Sequence, residues 1–312
     1  MISSIFGKTK PINFIILLGF LFLFYWCVQF YVIEKEFSTE NIVVEILALS
    51  LLLFSIFVVD FIVKRNKLTG PNSFSILFFT LLIVVFPETL GDNNAILSCF
   101  FLLLASRRLL SLKSLKNIKS KIFDTTLWIM ISSLFYEWNL LFMILVFSAI
   151  YIYEPKNIRN WLTVLPAVIC YFFILYSILI LMNYTQFIED HYDFNVDFNS
   201  IVATGWSTNI KLIVYAFLNL LLAFFAFLKL GKSGVGKIVT IRLIAISFVI
   251  GLLVTLMVST AQHQAIIITF FPSVIFIGNY IESIKKPNIL EVVLMLSIFL
   301  PLMLFLSKLI IS

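Results

Sequence analysis

Apolar residues run along this chain in long unbroken stretches rather than alternating or recurring every third or fourth position. Stretches of about 20 residues that are apolar all round mark helices crossing a bilayer of ~30 Å at 1.5 Å per residue. They predict spans near residues 12–32, 42–63, 72–87, 94–110, 160–182, 210–230, 239–258, 264–280 and 289–308. A further apolar stretch, 125–153, is too long for one upright helix and short for two, with Tyr136-Glu137-Trp138 in its middle.

Charge decides between the two. With 125–153 read as a hairpin, arms 125–135 and 139–153, and the N-terminus in the cytoplasm, all of the 22 basic residues except Lys35, Lys211 and Lys308 fall on the cytoplasmic side. A single span would flip every later loop and send Lys229, Lys232 and Lys237 outward, against the positive-inside rule. Of the 16 acidic residues, all but Asp60, Asp124, Glu154, Glu282 and Glu291 then lie on or near the outer face. The chain is thus expected to be one integral domain over 1–312. It is all-α, a polytopic transmembrane bundle of about 11 spans, with the N-terminus cytoplasmic and the C-terminus extracytoplasmic.

Composition agrees. Hydrophobic residues make up 62% of the 312 residues and charged residues 12%, against about 45–50% and about 25% in soluble domains. Mean hydropathy is +1.10. A soluble enzyme, a nucleic-acid-binding domain and a disordered chain are excluded, and the net charge of +6 reflects topology rather than a nucleic-acid partner. Cys27, Cys99 and Cys170 each sit in an apolar run without a CxxC partner, so neither a disulfide nor a cysteine metal site is expected. The first apolar run is long enough to span and no small-residue cleavage site follows it, so it is not read as a signal peptide. The expected location is a bacterial inner (cytoplasmic) membrane.

Candidate chemistry gathers in the short links. Glu34 and Glu36, two carboxylates at i and i+2 just beyond the first span, suit a general base or a divalent-metal ligand; a solvated loop that uses charge to end the first helix is the simpler explanation. In the turn Pro87-Glu88-Thr89-Leu90-Gly91-Asp92-Asn93, Pro87 ends a helix, Gly91 permits a sharp turn and Asp92 or Asn93 caps the next helix. Glu88 and Asp92 are candidates for an outward-facing carboxylate site. Glu137, at the hairpin apex, is an acid at membrane depth if the apex sinks below the surface, and a functional candidate for that reason; otherwise it is an interface residue between Tyr136 and Trp138. Glu45 and Asp60, in or near the second span, rank below it. His263, between Gln262 and Gln264 in an outer turn, suits a hydrogen bond to phosphate or sugar. On the inner side, 107–121 reads as a surface-lying basic helix, with Arg107 and Arg108 where a lipid phosphate would lie. The segment Lys232-Ser233-Gly234-Val235-Gly236-Lys237 lacks phosphate-loop spacing and is a link.

Over roughly its first half the chain resembles the GT-C class of membrane glycosyltransferases, which use lipid-linked sugar donors. The resemblance rests on Glu34 and Glu36 in the first outer loop and on Pro87-Glu88 through Asp92-Asn93-Asn94-Ala95 followed by Phe100-Phe101-Leu102-Leu103-Leu104-Ala105. The hairpin after Asp124 also fits that class. It departs from the class in a first outer loop of only about nine residues, in having no aspartate in the pair and in lacking an outer soluble domain. The start, Met1 to Phe14, and the stretch Arg107 to Lys121 are similar to a bacterial multi-pass family of unknown function. The GT-C resemblance implies transfer or handling of a polyprenyl-phosphate-linked sugar on the outer face. Glu34 or Glu36 would be base or metal ligand, Glu88, Asp92 and Glu137 would line the cavity, and His263 would contact the phosphate. With so few outer basic residues, the chemistry would need a divalent metal. The partners expected are membrane lipids and such a sugar lipid, not nucleic acid. A transporter and a non-catalytic scaffold of an envelope complex are the other two readings.

Overall fold

The computed structural model describes residues 2–35, 39–194, 206–230, 235–258 and 265–311, and among these there is no strand. The helices are α1 (Ile2–Phe6), α2 (Pro11–Tyr31), α3 (Thr39–Asn66), α4 (Phe74–Val85) and α5 (Asn93–Leu110). The middle of the chain forms α6 (Ile118–Ser132), α7 (Met143–Tyr153), α8 (Ile158–Leu162), α9 (Val164–Leu181) and α10 (Phe187–His191). The last four are α11 (Trp206–Leu230), α12 (Val235–Val258), α13 (Phe270–Ile281) and α14 (Pro287–Ile311). Among the described residues, seven helices are long and apolar enough to cross a bilayer: Pro11–Tyr31, Ile42–Asn66, Asn93–Ser114, Ile158–Leu181, Ile210–Leu228, Gly236–Val258 and Pro287–Ser307. The chain is therefore an all-α, polytopic membrane protein.

Three shorter apolar helices complete the bundle, and each is lengthened at the same end by a 3-10 segment. Pro87–Gly91 follows α4 after the single residue Phe86, Glu137–Phe142 leads into α7, and Ala265–Thr269 leads into α13. A 3-10 segment rises about 2.0 Å per residue against 1.5 Å in an α-helix, so each pair reaches up to about 28 Å. Helix α4 is buried from Phe74 to Val84, and α13 packs beside it with most of its residues also buried. These two form the centre. The long helices surround them and turn Leu, Ile and Phe side chains outward, where lipid is their solvent.

With no water to satisfy polar atoms, buried side chains bond across helices. Asn139 Nδ2 donates to Ser98 Oγ at 2.7 Å and to Ser132 Oγ at 2.9 Å. The Tyr215 hydroxyl lies 2.8 Å from Thr269 Oγ1 and 2.5 Å from Ser273 Oγ.

Contacts between links define two ends. At the first, Gln29 Nε2 donates to Leu90 O at 2.8 Å, Tyr136 bonds Asp92, the Tyr192 hydroxyl sits 2.9 Å from Ser133 Oγ and Lys211 pairs with Glu88. At the second, Ser73 N donates to Phe6 O at 2.8 Å, Gly70 N donates to Glu282 Oε1 at 2.6 Å and Lys121 Nζ donates to Ser111 O at 2.6 Å. We call these the acidic and the basic end.

Two local expectations change. The stretch 107–121 is not one surface helix. Arg107 and Arg108 form the last turn of α5, Ser111–Ser114 is a 3-10 turn and α6 starts at Ile118. Leu115 and Asn117, at φ 51° and 50°, stand in the left-handed region and break the run. The break turns the chain back and lets α6 begin seven residues before the expected 125, which lengthens the first arm of the 125–153 stretch. That stretch folds back on itself: α6 starts beside Ser111, and α7 returns to Ser111–Ser114. Gly91, expected for a sharp turn, has no positive φ. Its value is proximity, since a Cβ there would meet Ile33 Cδ1 at 3.0 Å.

Candidate functional site

The acidic end draws several sequence-predicted carboxylates into one polar patch, and the patch is closed on itself. At its centre is Glu45, 1% exposed. Its Oε1 accepts from Lys35 Nζ at 2.5 Å and Asn93 Nδ2 at 2.7 Å; its Oε2 accepts from the Tyr25 hydroxyl at 2.5 Å and Gln29 Nε2 at 3.1 Å. A carboxylate this deep persists only with such compensation. Helix α2 supplies Tyr25 and Gln29 one turn apart on one face; the turn after Gly91 supplies Asn93.

Two neighbouring acids, Glu88 and Asp92, are likewise occupied. Glu88 Oε1 lies 3.2 Å from Lys211 Nζ. Asp92 caps α5, Oδ1 accepting from Ala95 N at 3.2 Å, while its Oδ2 accepts a short bond from the Tyr136 hydroxyl. Burial first, then the Asp92 charge, pushes the Tyr136 phenol above its ordinary range, so it stays protonated and keeps donating. Glu137, half-buried, opens the 3-10 segment next to Tyr136. Glu34 stands apart, exposed at φ 51° just before Lys35. Glu36 and His263 lie outside the described residues. His191 places Nε2 2.7 Å from Ser133 O.

The structure thus brings Glu88, Asp92 and Tyr136-Glu137 together and adds Glu45, which the sequence reading ranked too low. Two of the three basic residues expected on this side, Lys35 and Lys211, are held by Glu45 and Glu88. Among the described residues no group of three His, Cys, Asp or Glu side chains is arranged to hold a metal ion.

The basic end is organised differently. Helices α3 and α5 pack side by side and finish at one level, so Lys64, Arg65, Arg107 and Arg108 sit in their last turns, where the helix dipole favours cations. The break at 111–117 swings Lys113 and Lys121 round to the same place. Together they enclose an open cleft of about 660 Å3, lined by Phe61, Arg65, Asn66, Lys67, Arg107, Arg108, Leu110, Ser111, Lys113, Ser114 and Lys121. Arg108 Nε is 3.0 Å from Asp124 Oδ2. Lys121 Nζ donates to Ser111 O and Ser114 Oγ, both at 2.6 Å, and burial, followed by the Arg108 charge, lowers its pKa.

An apolar groove of about 320 Å3 adjoins the cleft, lined by Phe54, Phe57, Val58, Phe61 and Arg107. Phe61 and Arg107 belong to both, and the Arg107 guanidinium carbon lies 4.9 Å from the Phe61 ring centroid. The groove follows the outer surface of α3, where Phe54, Phe57 and Phe61 are exposed to lipid. Sequence reasoning found Arg107 and Arg108 but not Arg65, Lys67 or the phenylalanines. The signal was the matched ends of the second and fourth apolar runs, Lys64-Arg65-Asn66-Lys67 and Arg107-Arg108. Compared with known proteins, the chain matches no family model, no curated protein and no solved structure.

Proposed function

We propose that the protein binds and handles a phosphate-headed membrane lipid at its basic end. The observation that carries this reading is the junction at Arg107 of a cation-lined cleft with an apolar groove. A lipid has those two parts in that order, a charged head and an apolar chain. Arginine's planar fork suits phosphate, and its stacking on Phe61 holds it at the boundary.

The reading includes the topology: 11 spans, with the basic end cytoplasmic and the C-terminus outside. The 3-10 extensions support the count by giving three short helices nearly the reach of a span. The resemblance to GT-C glycosyltransferases makes polyprenyl-phosphate lipids the class to try first. Sugar transfer on the opposite face would fall to Glu34 and Glu36, because Glu88 and Asp92 are engaged with Lys211 and Tyr136. A metal for that chemistry would have to be held by few protein ligands.

Native mass spectrometry of the protein in mild detergent, titrated with phosphate-headed lipids, tests the reading. A bound lipid that is lost from the Arg65→Gln/Arg107→Gln protein is the expected result. Equal retention by that variant, folded as judged by its melting temperature, would overturn it. Loss of sugar-transfer activity in a folded Glu34→Gln protein would add an enzymatic step.

A further inference from the structure

The cleft holds more positive charge than a single phosphodiester requires. Six cations line it, Arg65, Lys67, Arg107, Arg108, Lys113 and Lys121, with no carboxylate among the lining residues. Asp124 offsets Arg108, so six cations less one acid leave a surplus of five among the described residues. Exposed lysines and arginines that only mark the cytoplasmic side can spread apart into water; these converge from three chain segments, 65–67, 107–113 and 121, onto one concave surface.

A phosphodiester headgroup brings one negative charge, and a diphosphate about twice that or more, with more acceptor oxygens for arginine forks. The cleft, at about 660 Å3, also has room for the larger group. We propose that the ligand is a lipid headed by a diphosphate, both phosphates held by the cleft cations and the first carbons of its chain lying along Phe57 and Phe61. The proposal rests on the lipid-phosphate reading above and names its substrate class. Arg107 is the residue that spans the junction, so it contacts the phosphate nearest the chain, while Lys67 and Lys113, which line the cleft but not the groove, contact the distal one.

The test measures binding of four probes to the full chain in detergent: an isoprenyl diphosphate, the isoprenyl monophosphate of the same chain length, phosphatidylglycerol and inorganic diphosphate. The isoprenyl diphosphate should bind about tenfold tighter than the monophosphate, as one or two added charge-assisted hydrogen bonds predict. The Lys67→Gln/Lys113→Gln protein should lose that preference yet still bind the monophosphate. Arg107→Lys, which keeps the charge but not the fork, should weaken both. Equal binding of monophosphate and diphosphate would overturn the diphosphate assignment and leave the lipid reading intact. Binding of no phosphate-headed lipid would overturn both. Inorganic diphosphate binding as tightly as the isoprenyl diphosphate would overturn the lipid source and point to a soluble diphosphate.

Discussion

The two ends of this bundle carry charge in opposite ways. At the acidic end the charges at the centre of the patch have internal partners: Lys35 with Glu45, Lys211 with Glu88, and Asp92 with the Tyr136 hydroxyl. At the basic end Lys64 pairs with Asp60, but six other cations line one open cleft, and among the described residues only Arg108 of those six has an acid beside it. Charge closed on itself locks links together; charge left facing an opening awaits something brought from outside. The density of acids first draws attention to the links of the acidic end, yet the charge that faces an opening is at the other end.

Substitutions sharpen the contrast, the largest effect coming from the deepest pair. Lys35→Ala leaves Glu45 buried without a cation and should cost about 3 kcal/mol or more, read as a large fall in melting temperature in detergent. A fall of only a degree or two would mean that Glu45 is not the anchor of that end. Tyr136→Phe removes the donor to Asp92 and should cost about 1–2 kcal/mol, measured by the same melt. Lys211→Met breaks a partly exposed pair and should cost about 1 kcal/mol or less. Lys67→Gln and Lys113→Gln should change stability by no more than about 0.5 kcal/mol while lipid binding by each weakens. That binding should also decline as salt is raised, by screening of exposed charges. Marked destabilisation by either cleft substitution would erase the distinction between the ends.

The all-α architecture was legible because apolar runs of bilayer length have few other outcomes, and the reversal in 125–153 was legible from the distribution of lysines and arginines. The acidic patch was legible in part. Glu88 and Asp92 were found through the polar density of one short link and Glu137 through its place at the hairpin apex, but Glu45 was underrated because one acid near the start of an apolar run looks like a helix terminus. Only the pairing of α2 with α3 shows Tyr25 and Gln29 aimed at it. The basic cleft escaped for a different reason. Periodicity continued through 107–121 as if one helix ran on, and nothing local in Leu115 announces a left-handed residue. Tertiary packing sets that break, and with it the convergence of Arg65 and Lys121 on Arg107.

The short central helices also bear on the bilayer itself. Helices α4 and α13, even with their 3-10 extensions, reach about 28 Å, whereas the 25 residues each of α11 and α14 would reach about 37 Å upright. The excess length lies at the ends, since the uncharged stretches of these two helices, 212–228 and 292–307, would reach only about 26 and 24 Å. A bilayer matched to the buried pair therefore also matches the apolar middle of α11 and α14, and their charged ends, at Lys211, Lys229, Glu291 and Lys308, would fall at its two surfaces. A bilayer much thicker than about 28 Å would have to thin around the whole bundle, with the buried pair as the gauge.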